Sequence, residues 1–100
     1  MDNIASLKIT DYLILMLINS HDEIEIHSLR EQAKSVYHLE SHLYRRKIKT
    51  LQEKHHYIKE VLHPIVDKNN NVETNIYYTL TPKGIKLLKE VSSLIHTASQ

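Results

Sequence analysis

The chain has no cysteine, no tryptophan, no phenylalanine, one glycine and two prolines among its 100 residues. The absence of cysteine excludes a disulfide framework, a thiolate metal cage and a cysteine nucleophile. A single glycine cannot build the glycine-rich loop that cradles a nucleotide phosphate. The longest apolar run, residues 12–18, has seven residues, whereas a membrane-spanning helix needs about 20. Because that run also lacks the basic flank and cleavage site of a signal peptide, we expect a soluble, cytoplasmic protein.

The overall composition is typical of one small globular domain. Hydrophobic residues make up 41% of the chain and charged residues 25%, which is too apolar for a disordered segment. A core of this size is marginal unless its helices pack well or two copies of the chain associate. We therefore expect a single domain over residues 1–100.

The net charge of +1 conceals an uneven distribution. Residues 1–40 carry a net charge of −4, residues 41–59 carry +5, and residues 60–100 are neutral. A basic segment on a nearly neutral chain is the electrostatic signature of a surface that binds a polyanion. The alternative is an ordinary solvated helix surface, and the arrangement of these charges around a helix distinguishes the two.

The first forty residues predict two helices and a short strand. The first helix is expected over residues 9–19 with Thr10 as its capping hydroxyl, and its apolar residues predict burial on nearly every side. A short strand follows at residues 24–26. The second helix is expected over residues 28–34, opened by Ser28 as the first half of a capping box, and the residues after it are interpreted as a turn.

The basic segment falls on a third helix, predicted over residues 40–54. Tyr44, Ile48 and Leu51 recur at helical spacing and form a narrow apolar stripe. At 100° per residue, the opposite face collects one histidine and three cations: His42, Arg45, Arg46 and Lys49. Such separation favours a binding face, because a helix that is merely soluble usually mixes both charge signs on its outer surface.

The last part of the chain predicts a β-hairpin and a fourth helix. The pattern alternates with period two over residues 57–80, which indicates two antiparallel strands. Pro64 restricts the first strand to a sheet edge or a bulge, and the asparagines of residues 67–71 suit the turn between them. The final helix is expected over residues 82–97, capped by the hydroxyl of Thr81.

This order of elements resembles the winged helix-turn-helix fold of regulators such as the MarR, PadR and SarA-like families. Residues 44–54 are similar to a recognition helix that leads into the first wing strand, and residues 77–84 are similar to a wing strand that leads into the C-terminal helix. The resemblance implies an α+β fold, mainly α, with a two-stranded β-hairpin wing and a C-terminal dimerisation helix. Where those families usually have glycine, this chain has Tyr37 or His38 in the turn and His55–His56, with one apparent extra residue, before the wing.

The resemblance implies that the protein binds double-stranded DNA sequence-specifically as a homodimeric transcriptional regulator, a repressor that acts by occupying its operator. A recognition helix of this kind lies in the major groove. Arg45 and Arg46 are the candidates for base contacts, because a guanidinium fork matches guanine O6 and N7. The other candidates on this helix lie at its N-terminus or are placed to bind phosphate: Ser41, His42, Lys47 and Lys49.

Further contacts are expected outside the third helix. At the start of the second helix, Ser28 and Arg30 are placed to clamp the DNA backbone. The hairpin tip is expected to reach an adjacent minor groove or phosphates through Lys68, Asn69, Asn70 and Asn71. The last helix carries more apolar residues than one small core needs, which predicts a dimerisation surface: Leu87, Val91, Leu94 and Ala98, with the nearly all-apolar first helix, Ile4 and Leu7 as additions.

Eight histidines raise the hypothesis of a metal site. His38 and His42 are four residues apart, as metal-binding histidines on a helix often are, and His55, His56 and His63 form a second group. Polar surface and nucleic-acid contacts explain them better, so we expect no metal and no cofactor. No acid pair or serine–base arrangement has catalytic spacing, so we expect no enzyme.

Two other functions stay open at this point. The first is a DNA-binding adaptor in plasmid or phage segregation or replication, which coats repeated sites and recruits a partner protein. The second is a winged-helix protein-interaction module that does not bind DNA. The regulator, the adaptor and the interaction module all fit a prokaryotic protein, including one encoded by a plasmid or a virus. None of these three functions involves a membrane.

Overall fold

The computed structural model describes residues 7–98, with side chains described as far as residue 94. It has an α+β fold that is mainly helical and compatible with a winged helix. The elements in chain order are α1 (Ile9–Ser20), β1 (Glu23–Glu25), α2 (Ile26–Tyr37), α3 (Ser41–Lys49) with a π-helical turn (Thr50–Lys54), β2 (Ile58–Val66), β3 (Val72–Leu80) and α4 (Pro82–Ala98). None of the helices in the described part of the chain is long and apolar enough to cross a bilayer.

The three strands form one antiparallel sheet in the order β1-β3-β2. The hairpin pairs along its whole length, from Ile58 opposite Leu80 to Val66 opposite Val72. The short strand β1 adds to the other side of β3, so the sheet has three strands where the sequence predicted a two-stranded hairpin. Strand β2 lies at an edge, as expected from Pro64, because proline has no amide N–H to donate to a further strand on its outer side.

The first two helices are stabilised at their starts by carboxylates where the sequence predicted hydroxyls. Helix α1 begins at Ile9, as predicted, and the Asp11 carboxylate accepts a hydrogen bond from the Lys8 amide at 2.8 Å. The prediction that Thr10 caps this helix is therefore wrong. Helix α2 begins two residues before the predicted start, because the carboxylate of Glu25 caps it in place of the Ser28 hydroxyl.

Helix α2 also ends later than predicted, which corrects the turn expected after residue 34. It continues to Tyr37 and is closed by His38 in the left-handed conformation, with φ of 55°. The amide of Leu39 then donates to the carbonyl of Ala33 at 3.2 Å, a bond that satisfies an otherwise orphaned helix-end carbonyl. Glycine usually supplies such a left-handed residue, and a histidine at this position is not recognisable as a helix end from the sequence.

The core lies between the four helices and the base of the sheet. The stripe predicted for the third helix is buried, as are the inward positions of α2. The buried apolar residues are Ile14, Leu15, Ile18, Ile24, Leu29, Ala33, Leu39, Tyr44, Ile48, Leu51, Tyr57, Ile58, Leu80 and Leu87. Helix α1 is not buried on every side as expected, because Ile9 and Met16 are exposed.

Candidate nucleic-acid interface

One exposed face of α3 carries the basic residues. Arg45, Arg46 and Lys49 are exposed, while Tyr44 and Ile48 on the opposite face are buried. Within residues 7–94, no acid lies within 4.0 Å of these three cations. We refer to Arg45, Arg46 and Lys49 as the basic ridge. The separation of charge from core around this helix is the arrangement that the sequence predicted.

The basic ridge borders a groove between α3 and the sheet. This groove has a volume of about 500 Å³ and is lined by Arg45, Arg46, Ile48, Lys49, Gln52, Glu53 and Tyr78. Burial, and then the charge of Glu60, raise the pKa of the Tyr78 phenol, which stays protonated at neutral pH. Gln52 and Tyr78 extend the polar surface beyond the predicted residues. Gln52 lies one turn after Lys49, and helical spacing alone would have identified it.

The start of α3 is tied to α2 by a side-chain hydrogen bond. The guanidinium of Arg30 donates to the hydroxyl of Ser41 at 3.1 Å. The sequence predicted both residues as separate DNA contacts, and the structure brings them together. His42 is exposed and its ring lies 3.5 Å from the carboxylate of Glu40, also exposed, so an acid accompanies the histidine at the helix N-terminus.

The N-terminus of α2 is occupied by a carboxylate. Glu25 accepts hydrogen bonds from the amides of His27 at 3.1 Å and Ser28 at 3.0 Å. Burial alone would raise the pKa of Glu25, but these backbone bonds outweigh it and lower the pKa. A negative charge already holds the amides that would bind phosphate. The Ser28 amide is therefore already bonded to Glu25, and the proposed interface does not include Ser28.

Lys47 points away from the basic ridge. Its ammonium lies 3.1 Å from the Asp11 carboxylate, and the two side chains are only 18% and 13% exposed. Residue 47 stands three positions after Tyr44, and that spacing places it on the core side of the helix. The expectation that Lys47 binds phosphate is corrected, because its ammonium forms an ion pair with the Asp11 carboxylate within the protein.

This half-buried pair yields a stability prediction. Asp11→Asn keeps an acceptor for the Lys8 amide but leaves the Lys47 charge without a counterion, so the free energy of unfolding should fall by about 2–3 kcal/mol. Urea denaturation measures this loss. The matched double variant Asp11→Asn/Lys47→Met removes both charges and should recover most of the stability. An unchanged midpoint for Asp11→Asn would show that the pair contributes nothing.

The hairpin tip is organised by an acid. The Asp67 carboxylate accepts hydrogen bonds from the amides of Asn69 at 2.8 Å and Asn71 at 2.9 Å. These hydrogen bonds lower the pKa of Asp67, and the bond from the Asn71 amide has the largest effect. Asn70 takes the left-handed conformation with φ of 62°, as the asparagine-rich turn predicted. A DNA contact by the tip, including Lys68, stays a prediction.

The structure changes the expected dimerisation surface. Leu87 is only 5% exposed and belongs to the chain's own core, so its expected role as a dimer contact is wrong. Val91 and Leu7 pack partly against that core, whereas Leu94 is exposed. Ile4 and the side chain of Ala98 lie outside the described residues.

An apolar groove runs between α1 and α4 on this side of the molecule. It has a volume of about 600 Å³ and is lined by Met16, Asn19, Ile85, Leu88, Lys89, Val91 and Ser92. The exposed Met16 explains the surplus of apolar residues in α1, because this helix supplies one wall of the groove. We refer to it as the α1–α4 groove. The sequence prediction included the first helix in the dimerisation surface but singled out neither Met16 nor Ile85.

The histidines are spread over separate surroundings. Among the residues that the structure describes, no group of three or more histidines and acids is placed to hold a metal. His63 lies 2.8 Å from the carboxylate of Glu23 and packs edge-on against Tyr77. His55 is buried and stacks on Tyr57 with ring centres 5.3 Å apart. The expectation of no metal or cofactor stays a prediction.

The order of helices and strands is compatible with the winged-helix fold to which the sequence was compared. The basic ridge stands on the helix whose sequence resembles a recognition helix. The similarity to winged-helix proteins therefore depends on residues 44–54 and 77–84 and on this compatible order of elements. Comparison of the chain with protein-family models, with curated proteins and with solved structures found no match.

Proposed function

We propose that the protein binds double-stranded DNA with α3 lying in the major groove. The observation that carries the proposal is the basic ridge, three exposed cations on one helix face with no acid within 4.0 Å in the described part of the chain. The B-DNA major groove is about 12 Å wide and admits an α-helix. The buried stripe on the opposite face fixes the helix to the body of the protein, so the ridge can meet DNA without moving.

Each residue of the interface has a distinct role in this proposal. Arg45 and Arg46 read bases, because their guanidinium forks match the acceptors of guanine. Lys49 binds phosphate and positions the helix without specifying sequence. Gln52, at the edge of the groove beside β3, is suited to the N6 and N7 atoms of adenine. Arg30 holds Ser41 and thereby fixes the angle between α2 and α3.

The biological role that fits this surface best is a transcriptional regulator that acts as two associated copies. Two-fold pairing would place two recognition helices about one DNA turn apart and would raise affinity above that of a single small domain. The α1–α4 groove and the exposed Leu94 support self-association, since they leave apolar surface uncovered by the described residues of the chain. Repression by operator occupancy requires no further activity.

The dependence of binding on salt tests the proposal. Affinity for a duplex, measured by fluorescence anisotropy, should fall linearly on a log–log plot with a slope of about −0.9 for each phosphate contact. Lys49→Ala should make that slope less steep by about one, and it should weaken binding to all DNA sequences equally. The matched control is Lys34→Ala, which removes an exposed cation of α2 outside the ridge. Absence of salt-dependent binding would favour a protein-interaction module instead.

A further inference from the structure

The outer part of the β-hairpin projects from the body of the protein. The molecule measures 58 Å by 27 Å by 26 Å, and the hairpin strands are nine residues long. Their inner ends reach the core at Ile58 and Leu80, whereas every residue from Leu62 to Thr74 is exposed. We refer to residues 60–76 as the arm. A two-stranded hairpin alone is marginally stable in water, so an arm of this kind gains from a partner.

One face of the arm is apolar along its length. Leu62 and Val66 lie on the same face of β2, since they are an even number of residues apart. Ile76 and Val72 stand directly opposite them on β3 and share that face. Leu62, Val66 and Val72 are 59%, 60% and 65% exposed. This face therefore presents aliphatic side chains that the chain's own core does not cover.

The charge of the arm opposes a contact with DNA. Residues 60–76 include Glu60, Asp67 and Glu73 but only Lys68 as a cation, a net charge of −2. DNA carries a dense negative charge, so a net acidic arm is repelled by it. The apolar face and the acidic balance together fit a protein surface that is apolar and basic.

A surface of this kind on the same chain is the α1–α4 groove. Its lining is mostly apolar, with Met16, Ile85, Leu88 and Val91 as its walls, and Lys89 is the charged residue among the lining residues that the structure describes. Residues 82–94 of α4 carry a net charge of +2. Arm against arm would pair two acidic surfaces, and groove against groove would pair two basic ones. Only arm against groove brings opposite charges together.

We propose that the arm of one copy docks into the α1–α4 groove of a second copy. The aliphatic face of the arm enters between α1 and α4, and the net negative charge of the arm is opposite to the net positive charge of α4. The inference deepens the self-association in the proposed function and names both of its surfaces. It is independent of DNA binding by the basic ridge, which neither surface includes.

Disulfide trapping tests the proposed pairing, because the natural chain has no cysteine. Val66→Cys and Met16→Cys variants, one of them isotopically labelled, are mixed and oxidised mildly. We expect a disulfide between the two different variants, several-fold above either self-linked product. The matched control Ile65→Cys places the thiol on the opposite face of the same strand and should trap much less with Met16→Cys. Dominance of self-linked Val66→Cys or Met16→Cys, or no product, would overturn the proposal.

Sedimentation of single variants gives a second readout. Leu62→Asp should weaken self-association on the order of tenfold or more, since it places a charge in an apolar contact. Ile65→Asp, on the other face, should leave it nearly unchanged. Lys89→Glu should weaken it, and Lys34→Glu, with the same charge change, should not. A wild-type chain that stays monomeric at high concentration would overturn the proposal, while duplex binding by the same samples reports on the DNA proposal separately.

Discussion

Removing both ridge arginines is expected to abolish selective DNA binding. Arg45→Ala/Arg46→Ala should lower affinity for the preferred duplex about 100-fold or more, because each bidentate contact to guanine contributes roughly 1–3 kcal/mol of discrimination. The preferred duplex is obtained by selecting bound DNA from random sequences with the wild-type protein. Anisotropy titrations at fixed salt then compare the variant with the wild type on preferred and unrelated duplexes.

The control for this experiment must remove the same charge from elsewhere. Lys8→Ala/Lys34→Ala takes away two exposed cations outside α3, and it should reduce affinity only slightly and equally for all duplexes. The arginine variant should instead bring the preferred duplex close to the level of unrelated DNA. Equal losses in the two double variants would contradict base reading by α3, and so would a retained preference in the arginine variant.

The second large effect is expected at the only glycine of the chain. Thr81 caps α4 by accepting a hydrogen bond from the Gly84 amide at 3.1 Å, and its own hydroxyl donates to the carbonyl of His56 at 2.6 Å. This junction presses Gly84 against the backbone of Tyr57, so that a Cβ atom would collide with the Tyr57 carbonyl oxygen. Glycine is required here by close approach rather than by its backbone freedom.

Gly84→Ala should therefore lower the free energy of unfolding by about 3 kcal/mol, the upper part of the range for overpacked sites. The sign is diagnostic, because alanine in place of glycine at an open helix position stabilises by about 1 kcal/mol. Urea denaturation followed by circular dichroism measures the change. Ser93→Ala, at an exposed position of the same helix, serves as the control and should change little. A stabilised Gly84→Ala would contradict the packing described at this junction.

Local periodicity predicted the parts of this fold that depend on neighbours in sequence. The stripe of Tyr44, Ile48 and Leu51 is buried because helical spacing alone puts these residues on one face. The Thr81 cap is present for the same reason, since a cap acts over three residues. The basic ridge needed only the same helical wheel, so this part of the candidate site was open to prediction.

The remaining differences arise from contacts that a sequence pattern does not contain. The carboxylate of Glu25 reached the start of α2 because the preceding strand is extended up to that residue. Leu87 was interpreted as a dimer contact because α4 carries more apolar residues than one small core needs, and their pattern alone does not show which of them the core takes up. Ile85 and Met16 form a groove only after α1 and α4 meet, and such a meeting is a property of the tertiary fold.

The π-helical turn at Thr50–Lys54 absorbs one residue more than an α-helical turn would, and the amide of His55 donates to the carbonyl of Thr50 at 3.0 Å across this wider loop. Each residue of an α-helix advances the chain by about 100°. Because the buried Tyr44 and Ile48 hold α3 in place, the length of this one turn sets the direction in which the chain leaves the helix toward β2. Deleting a single residue there would rotate that exit by roughly the same angle, so that Tyr57 and the start of the hairpin could not keep their present places in the core.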